Sequence, residues 1–470
     1  MSILLPPQGS LTLCATLYTR SSTIQQRPVA LRSLRIATAI ATRSVLAVVT
    51  RVAFTAGLGV AALACGGNGT EGVGPPVEPT TIPTTGTVVP ELAGFDRVIT
   101  DLMKKWGIPG GAIAVVKDGR LVLARGYGYA DLAAKDPVAP DALFRIASVS
   151  KPVTAVAVLR LAEQGRVDVD AKAFALLPNL TPPSGSTVDA RLDAITVRQL
   201  LSHLGGWDRD RSFDPMFRAT QIAEALGTVP PAGAETVIRY MRGQPLDFSP
   251  GARYAYSNFG YAVLGRVIEQ ASGQSYGAYV TESVLRPMGI TRMRLGRSLL
   301  ADRAAGEVRY YDGGGTTSSV FPSGGSVPWA YGGFHLEAMD AHGGWIASAV
   351  DLARFITSVD GLPTRPDLLR PASIDLMTAR PTMVWDGSAF HYGAGWLVRP
   401  QQGNWWHNGS LPGTSALIVR TGTGLAWAVL FNARSMVSGS TFEQEVDPAV
   451  WQAVAQVSTW PTRDLFSQYP

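Results

Sequence analysis

Two cysteines in 470 residues, Cys14 and Cys65, leave the chain beyond residue 65 without a thiol. That excludes a disulfide framework, a cysteine nucleophile and a cysteine metal site from the body of the protein. Histidine is nearly as scarce: five, at 203, 335, 342, 391 and 407, with no ligand spacing and no His-Glu-x-x-His helix. No catalytic metal and no cofactor are therefore expected. The uncharged, mostly apolar stretch from Val52 to Ala64 has thirteen residues, too few to span a bilayer. Acids and lysine are missing from residues 1–65, which carry six arginines. The formal net charge of +5 thus belongs to that segment, and the remaining 405 residues sum to −1. A near-neutral body has no general attraction for nucleic acid.

Residues 1–65 read as a leader. Arg51 precedes an apolar core of signal length, followed by Ala62-Leu63-Ala64-Cys65-Gly66-Gly67. Small residues before a cysteine resemble a bacterial lipoprotein processing site, which would make Cys65 the lipidated first residue and a lipid anchor the link to a membrane. Ala62 stands where such sites usually carry leucine, and an ordinary signal cleaved nearby is the alternative. Residues 1–50 are long for a signal's basic region, and fit either a start codon placed too early or an organellar transit segment. An exported protein, in the cell envelope or beyond it, is expected. Residues 66–89 are Gly-, Pro- and Thr-rich, with hardly a large apolar side chain, and read as a semi-stiff linker.

The folded body is expected over 90–470. Leu92, Phe95, Ile99, Leu102, Met103 and Trp106 share one helical face. Ala112 to Lys117 and Arg120 to Tyr127 flank Asp118-Gly119, a two-residue hairpin signal. Further on, Ser348-Ala349-Val350-Asp351 is a helix-capping pattern, and strand-like runs cover 393–398, 404–407, 414–420 and 425–431. Asp447-Pro448 is read as the start of a last helix. Helix, hairpin, long helical insert, antiparallel strands and helix make an α+β body, its sheet shared by N- and C-terminal strands with a mainly helical lobe between.

Three stretches carry chemistry. In Ser148-Val149-Ser150-Lys151 a serine precedes a helical pattern running to Gly165, with a lysine one turn on. A crowded lysine loses its proton more easily and can act as base toward the hydroxyl. Tyr256-Ser257-Asn258 lies on a turn before a second apolar-periodic helix, where a phenol can share a proton and an amide can hold a carbonyl. His407-Asn408-Gly409-Ser410 closes a strand. The charged run Asp208-Arg209-Asp210 reads as a solvated loop, with a substrate contact as the alternative.

In order and approximate spacing these stretches resemble the three active-site motifs of the serine β-lactamase and penicillin-binding-protein superfamily. Flanking residues, among them Ile146-Ala147, Leu200-Leu201-Ser202-His203 and Phe259-Gly260-Tyr261, are similar to the class C β-lactamase-related branch, which includes D-stereospecific peptidases and family VIII carboxylesterases. The resemblance covers roughly residues 90–460 and implies a β-lactamase/transpeptidase-like fold. It implies Ser148 as nucleophile, Lys151 as its proton partner, and Tyr256 as general base for acylation and acid toward the leaving group. Which of Lys151 and Tyr256 takes the first proton stays open. Asn258 is implied as a substrate contact, and the backbone N–H groups of Ser148 and Ser410 as oxyanion hole. His407 and Gly409 are implied as substrate-binding too, Gly409 by letting that strand come close to the substrate.

The third motif departs from the family's usual Lys-Thr-Gly. His407 replaces a fixed charge, which argues against strong β-lactam turnover and toward esters or D-amino-acid peptides; a lysine at 407 is expected to favour cephalosporins. A class C-type β-lactamase or a D-Ala-D-Ala carboxypeptidase is the alternative enzyme. An idle penicillin-binding-like sensor of cell-wall fragments is the alternative of another kind. Small-molecule esters, amides or peptides are the expected partners.

Overall fold

The protein is described by a computed structural model over residues 81–469, apart from Gly314, Ser323, 384–386, Ser435, Ser438 and Gly439. The leader, Cys65 and most of the expected linker lie outside the described residues. The linker's last residues correct the boundary placed at Pro90. Thr84 and Thr85 (β1) pair with Tyr127 and Gly126, the Pro83 carbonyl accepts from Gly128 N–H at 2.8 Å, and Val89 is buried. An edge strand of two residues needs backbone and one or two apolar anchors, so a composition too polar to fold alone can still join a sheet that others build.

A nine-stranded antiparallel sheet forms the centre. Its long strands are Gly110–Lys117 (β2), Arg120–Asp131 (β3), Asn404–Leu411 (β6), Thr414–Arg420 (β7) and Leu425–Phe431 (β8), with His391–Tyr392 (β4) and Leu397–Arg399 (β5) at one edge. The order is β1-β3-β2-β8-β7-β6-β5-β4, with the short strand Asp136–Pro137 also paired to β3. N-terminal and C-terminal strands therefore meet in the middle, where Ala114 faces Ala428. Alternation assigns the two faces. Leu425, Trp427, Val429 and Phe431 pack with helix Ala93–Trp106 (α1), while Ala426, Ala428 and Leu430 face the larger core that holds most other helices.

Two expectations shift. The last helix is Glu443–Ala455, with Pro448 inside it. Proline forfeits one backbone bond there, and burial of Val446, Val450 and Ala453 against α1 outweighs that loss. Glu445 further ties it to Lys105 at 2.7 Å and to Trp106 Nε1 at 3.0 Å. The single strand expected at 393–398 is two short ones, bent at Gly395, whose φ of +83° suits glycine. A Cβ there would meet Ala155 Cβ at 2.8 Å and Pro152 Cα at 3.0 Å, so this bend presses directly on the helix that carries Lys151.

In that helix, Ser150–Glu163 (α2), every residue from Ser150 to Leu159 is buried. A helix apolar almost all round belongs in the centre of a domain. Helix Asn258–Ser272 (α4) packs beside it, with Val197–Leu201 (α3) next to α4. Both α3 and helix Ala349–Thr357 (α5) start with complete capping boxes, from Thr196 and from Ser348 with Asp351.

Candidate active site

Strand Phe144–Arg145 pairs with Trp345–Ala347, and the chain then turns sharply. Ala147 takes φ +47°, a left-handed conformation costly for a residue with a Cβ. The strain holds Ser148 in a single 3-10 turn, Ala147–Val149, directly before α2, so the serine lies just ahead of the helix rather than in its first turn. Ser148 is partly exposed, whereas Lys151 is fully buried. A nucleophile open to substrate and a base shut away from water is the arrangement this chemistry requires.

Ser148 Oγ sits between two groups: Lys151 Nζ at 3.1 Å and the Tyr256 hydroxyl at 2.8 Å. Nζ also lies 2.7 Å from Asn258 Oδ1 and 3.0 Å from the His342 carbonyl. Burial lowers the Lys151 pKa well below the usual lysine value; the Asp214 charge opposes this and the Arg209 charge adds to it. A neutral amine has two N–H donors and one lone pair. The two acceptors, Asn258 Oδ1 and the His342 carbonyl, use the donors and leave the lone pair facing Ser148. Burial pushes the Tyr256 phenol up from its ordinary value, so it stays protonated and donates to Ser148 Oγ. With Lys151 neutral, Ser148 can give its own proton to that amine.

Asn258 is held at both ends of its amide. Its Oδ1 faces Lys151, and its Nδ2 donates to Asp214 Oδ2 at 2.6 Å. Ser257 caps α4 through Gly260 N–H, which fixes both neighbours at the helix start. His407 is held in the same way. Its Nδ1–H donates to the Asn408 carbonyl at 2.7 Å, and its Nε2 accepts from the Tyr392 hydroxyl at 2.9 Å. Burial lowers its pKa to about 3. Both ring nitrogens of His407 are thus engaged within the protein.

Gly409 is needed for a nearer reason than substrate clearance. A Cβ there would lie 2.2 Å from the Ile146 carbonyl oxygen and 3.1 Å from Ser148 N. β6 therefore rests on the nucleophile turn, and β5 pairs with β6 only as far as Trp406, leaving His407 to Leu411 without a strand on that side among the described residues. The Ser410 side chain turns to the opposite face, where its hydroxyl meets Glu443 at 3.2 Å.

Three contributors escaped the sequence reading. Asp214 precedes a proline and reads as an ordinary cap. The His342 contribution is a carbonyl, which no residue type encodes. Arg209 reads as solvated charge, yet its guanidinium carbon lies 4.7 Å from the centre of the Tyr256 ring. Asp208, in contrast, is a loop residue as expected, paired with Arg253 at 2.7 Å. His203, φ +58°, is buried among Tyr254, Tyr256, Tyr261 and Tyr392, and its Nδ1 accepts from Ser257 N–H at 3.1 Å. Among the described residues no group of three or more His, Cys, Asp or Glu side chains is arranged to hold a metal. A cleft of about 530 Å³ lined by Trp106, Tyr310, Tyr311 and Arg434 includes none of Ser148, Lys151 and Tyr256, so the site is identified by its chemistry and not by volume.

Comparison with known proteins gives the family and the fold. Protein flp of Staphylococcus aureus (strain N315) is 31% identical over 197 residues, covering 42% of this chain and 37% of that protein. Esterase EstB of Burkholderia gladioli is 31% identical over 224 residues, 47% of this chain and 55% of the esterase. The chain thus spans about a third to a half of the curated relatives it matches. Among solved structures, the D-amino acid amidase of Ochrobactrum anthropi SV3 superposes with a TM-score of 0.60 at 21% identity, over 78% of this chain and 99% of the amidase. The octameric penicillin-binding protein homologue of Pyrococcus abyssi gives 0.59 at 24% identity, over 79% of each chain. These structural likenesses show a shared fold. The match to the Beta-lactamase family runs through residues 95–445, from α1 to the start of the last helix, and the chain belongs to that family.

Proposed function

We propose that this protein is a serine hydrolase that forms an acyl-enzyme on Ser148 and acts on carboxylic esters or on D-amino-acid amides and peptides. The observation that carries this reading is the placement of Ser148 Oγ between Lys151 Nζ at 3.1 Å and the Tyr256 hydroxyl at 2.8 Å. As Oγ attacks the substrate carbonyl carbon, its proton passes to the neutral Lys151 amine. The tetrahedral oxyanion is received by the backbone N–H groups of Ser148 and Ser410. Close contact of Gly409 with the nucleophile turn supports that pairing. Such a donor contributes on the order of 3 kcal/mol to lowering the barrier.

Collapse of the intermediate breaks the bond to the leaving group, which takes the Tyr256 proton. The Tyr256 oxygen then recovers a proton from Lys151. Water repeats the sequence on the acyl-enzyme and releases the acid, restoring the Ser148 hydroxyl. Likeness to an esterase and to a D-amino acid amidase supports the substrate class. Neutral, fully bonded His407 supports placing esters and amides ahead of β-lactams. The leader's arginines and apolar core support export, with Cys65 as lipid anchor.

The deciding experiment is a panel of p-nitrophenyl esters, D-amino-acid anilides and nitrocefin, run on wild type and Ser148→Ala together with fluorophosphonate labelling. Hydrolysis and labelling in the wild type, both lost in the variant while its melting temperature holds, is the expected result. Labelling that survives in Ser148→Ala would overturn the assignment.

A further inference from the structure

The cations around Ser148 can be taken one by one. Lys151 is fully buried, with its amine held by Ser148, Asn258 and His342. His407 is neutral and bonded at both nitrogens. Arg253 pairs with Asp208 and lies over Phe248, its guanidinium carbon 4.1 Å from the ring centre. Arg209 is left. Among the described residues its side chain makes no hydrogen bond; its one ionic contact is Nε to Asp210 Oδ1 at 3.8 Å, and Asp210 is 91% exposed. The Arg209 side chain is 42% exposed, yet its guanidinium is held over the Tyr256 ring at 4.7 Å. Stacking on that ring restrains the planar fork, so little freedom remains to be lost on binding an anion. A guanidinium with its donors unspent, fixed beside the proton-donating tyrosine and open to solvent, has the form of an anion receptor.

We propose that Arg209 binds a carboxylate carried by the substrate, so that esters and amides bearing a free carboxylate are preferred over neutral ones. The proposal rests on the acyl-enzyme reading above. It moves the charge that reads the substrate from the third motif, where His407 is spent, to the Gly205–Asp210 loop on the Tyr256 side. The carboxylate belongs to the acyl part or to the leaving group, and both arrangements can be measured.

The test uses the full chain with three esters: 4-nitrophenyl butyrate, mono-4-nitrophenyl succinate with an acyl-side carboxylate, and 3-carboxy-4-nitrophenyl butyrate with a leaving-group carboxylate. Each is run on wild type, Arg209→Gln and Arg209→Lys, and kcat/KM for each charged ester is divided by that for the neutral one. Any effect of Arg209 on Lys151 is common to all three esters and cancels in the ratio. For one charged ester the ratio should fall about tenfold or more in Arg209→Gln, mainly through KM, and largely return in Arg209→Lys. The wild-type preference should also shrink between about 0.05 M and about 0.5 M salt, because the site is half open to solvent. A ratio within about twofold of wild type for both charged esters, with Ser148 still labelled by fluorophosphonate, would overturn the role of Arg209 alone. Absence of labelling in the wild type would overturn the acyl-enzyme reading and this proposal with it.

Discussion

Asp214 Oδ2 accepts a hydrogen bond from Asn258 Nδ2 at 2.6 Å, and so decides which end of that amide faces Lys151. Its charge also stabilises the protonated form of Lys151, against the burial that lowers the lysine's pKa. Asp214→Asn keeps an acceptor for Asn258 and removes the charge. Lys151 should then lose its proton at lower pH, moving the acid limb of kcat/KM on a neutral ester downward. Arg209→Gln removes a charge of the opposite sign and should move the same limb upward. The two variants are read together in pH–rate profiles; limbs that stay in place in both would separate Lys151 from the base role.

Gly409 is pinned by backbone atoms, which cannot swing aside as a side chain can. Gly409→Ala should force β6 away from Ile146 and Ser148. Since misplacement by about 1 Å costs on the order of a hundredfold in rate, ester turnover should fall by about that factor or more. Overpacking should lower stability by about 1–3 kcal/mol. Kinetics with a thermal melt check both, and full activity in this variant would show that the strand does not set the nucleophile's position.

His407→Lys is no longer expected to favour cephalosporins. The substitution removes the bonds to Tyr392 and to the Asn408 carbonyl and places an ammonium in a buried site. A loss of at least about 2 kcal/mol in stability is expected, with no gain on nitrocefin. A stable variant with raised cephalosporin turnover would restore His407 as a substrate-facing position.

Cys65→Ser tests the proposed anchor. Cells expressing the full chain should hold it in the membrane fraction, and the variant should be released or remain unprocessed. An unchanged distribution and mature mass would leave an ordinary signal in place of the lipoprotein site.

What could be read in the residue string follows from where its information is local. The hairpin around Asp118-Gly119 and the strands 414–420 and 425–431 declare themselves by alternation and turn residues. Ser148 with Lys151, and Tyr256 with Asn258, are legible because each pair is short-range and sits at a helix start. Asp214, Arg209 and the His342 carbonyl reach the site only through the fold, the first two from one loop and the third from another. The bonding of His407 is hidden for the same reason: its partner Tyr392 lies on another strand, out of reach of any local pattern. Pro448 and Gly395 misled in a simpler way, since packing against α1 and against α2 overrode local preference.

The meeting of β2 with β8 has a consequence for the order of assembly. Val115 and Trp427 are sheet partners although roughly three hundred residues of chain separate them. During synthesis the hairpin of β2 and β3 emerges early, with one edge unpaired until the last third of the body arrives. Gly409, which seats the nucleophile turn, belongs to that same late segment. A nascent or prematurely ended chain would therefore carry Ser148, Lys151 and Tyr256 without the strand that seats them, and hydrolytic competence would switch on only when the sheet closes.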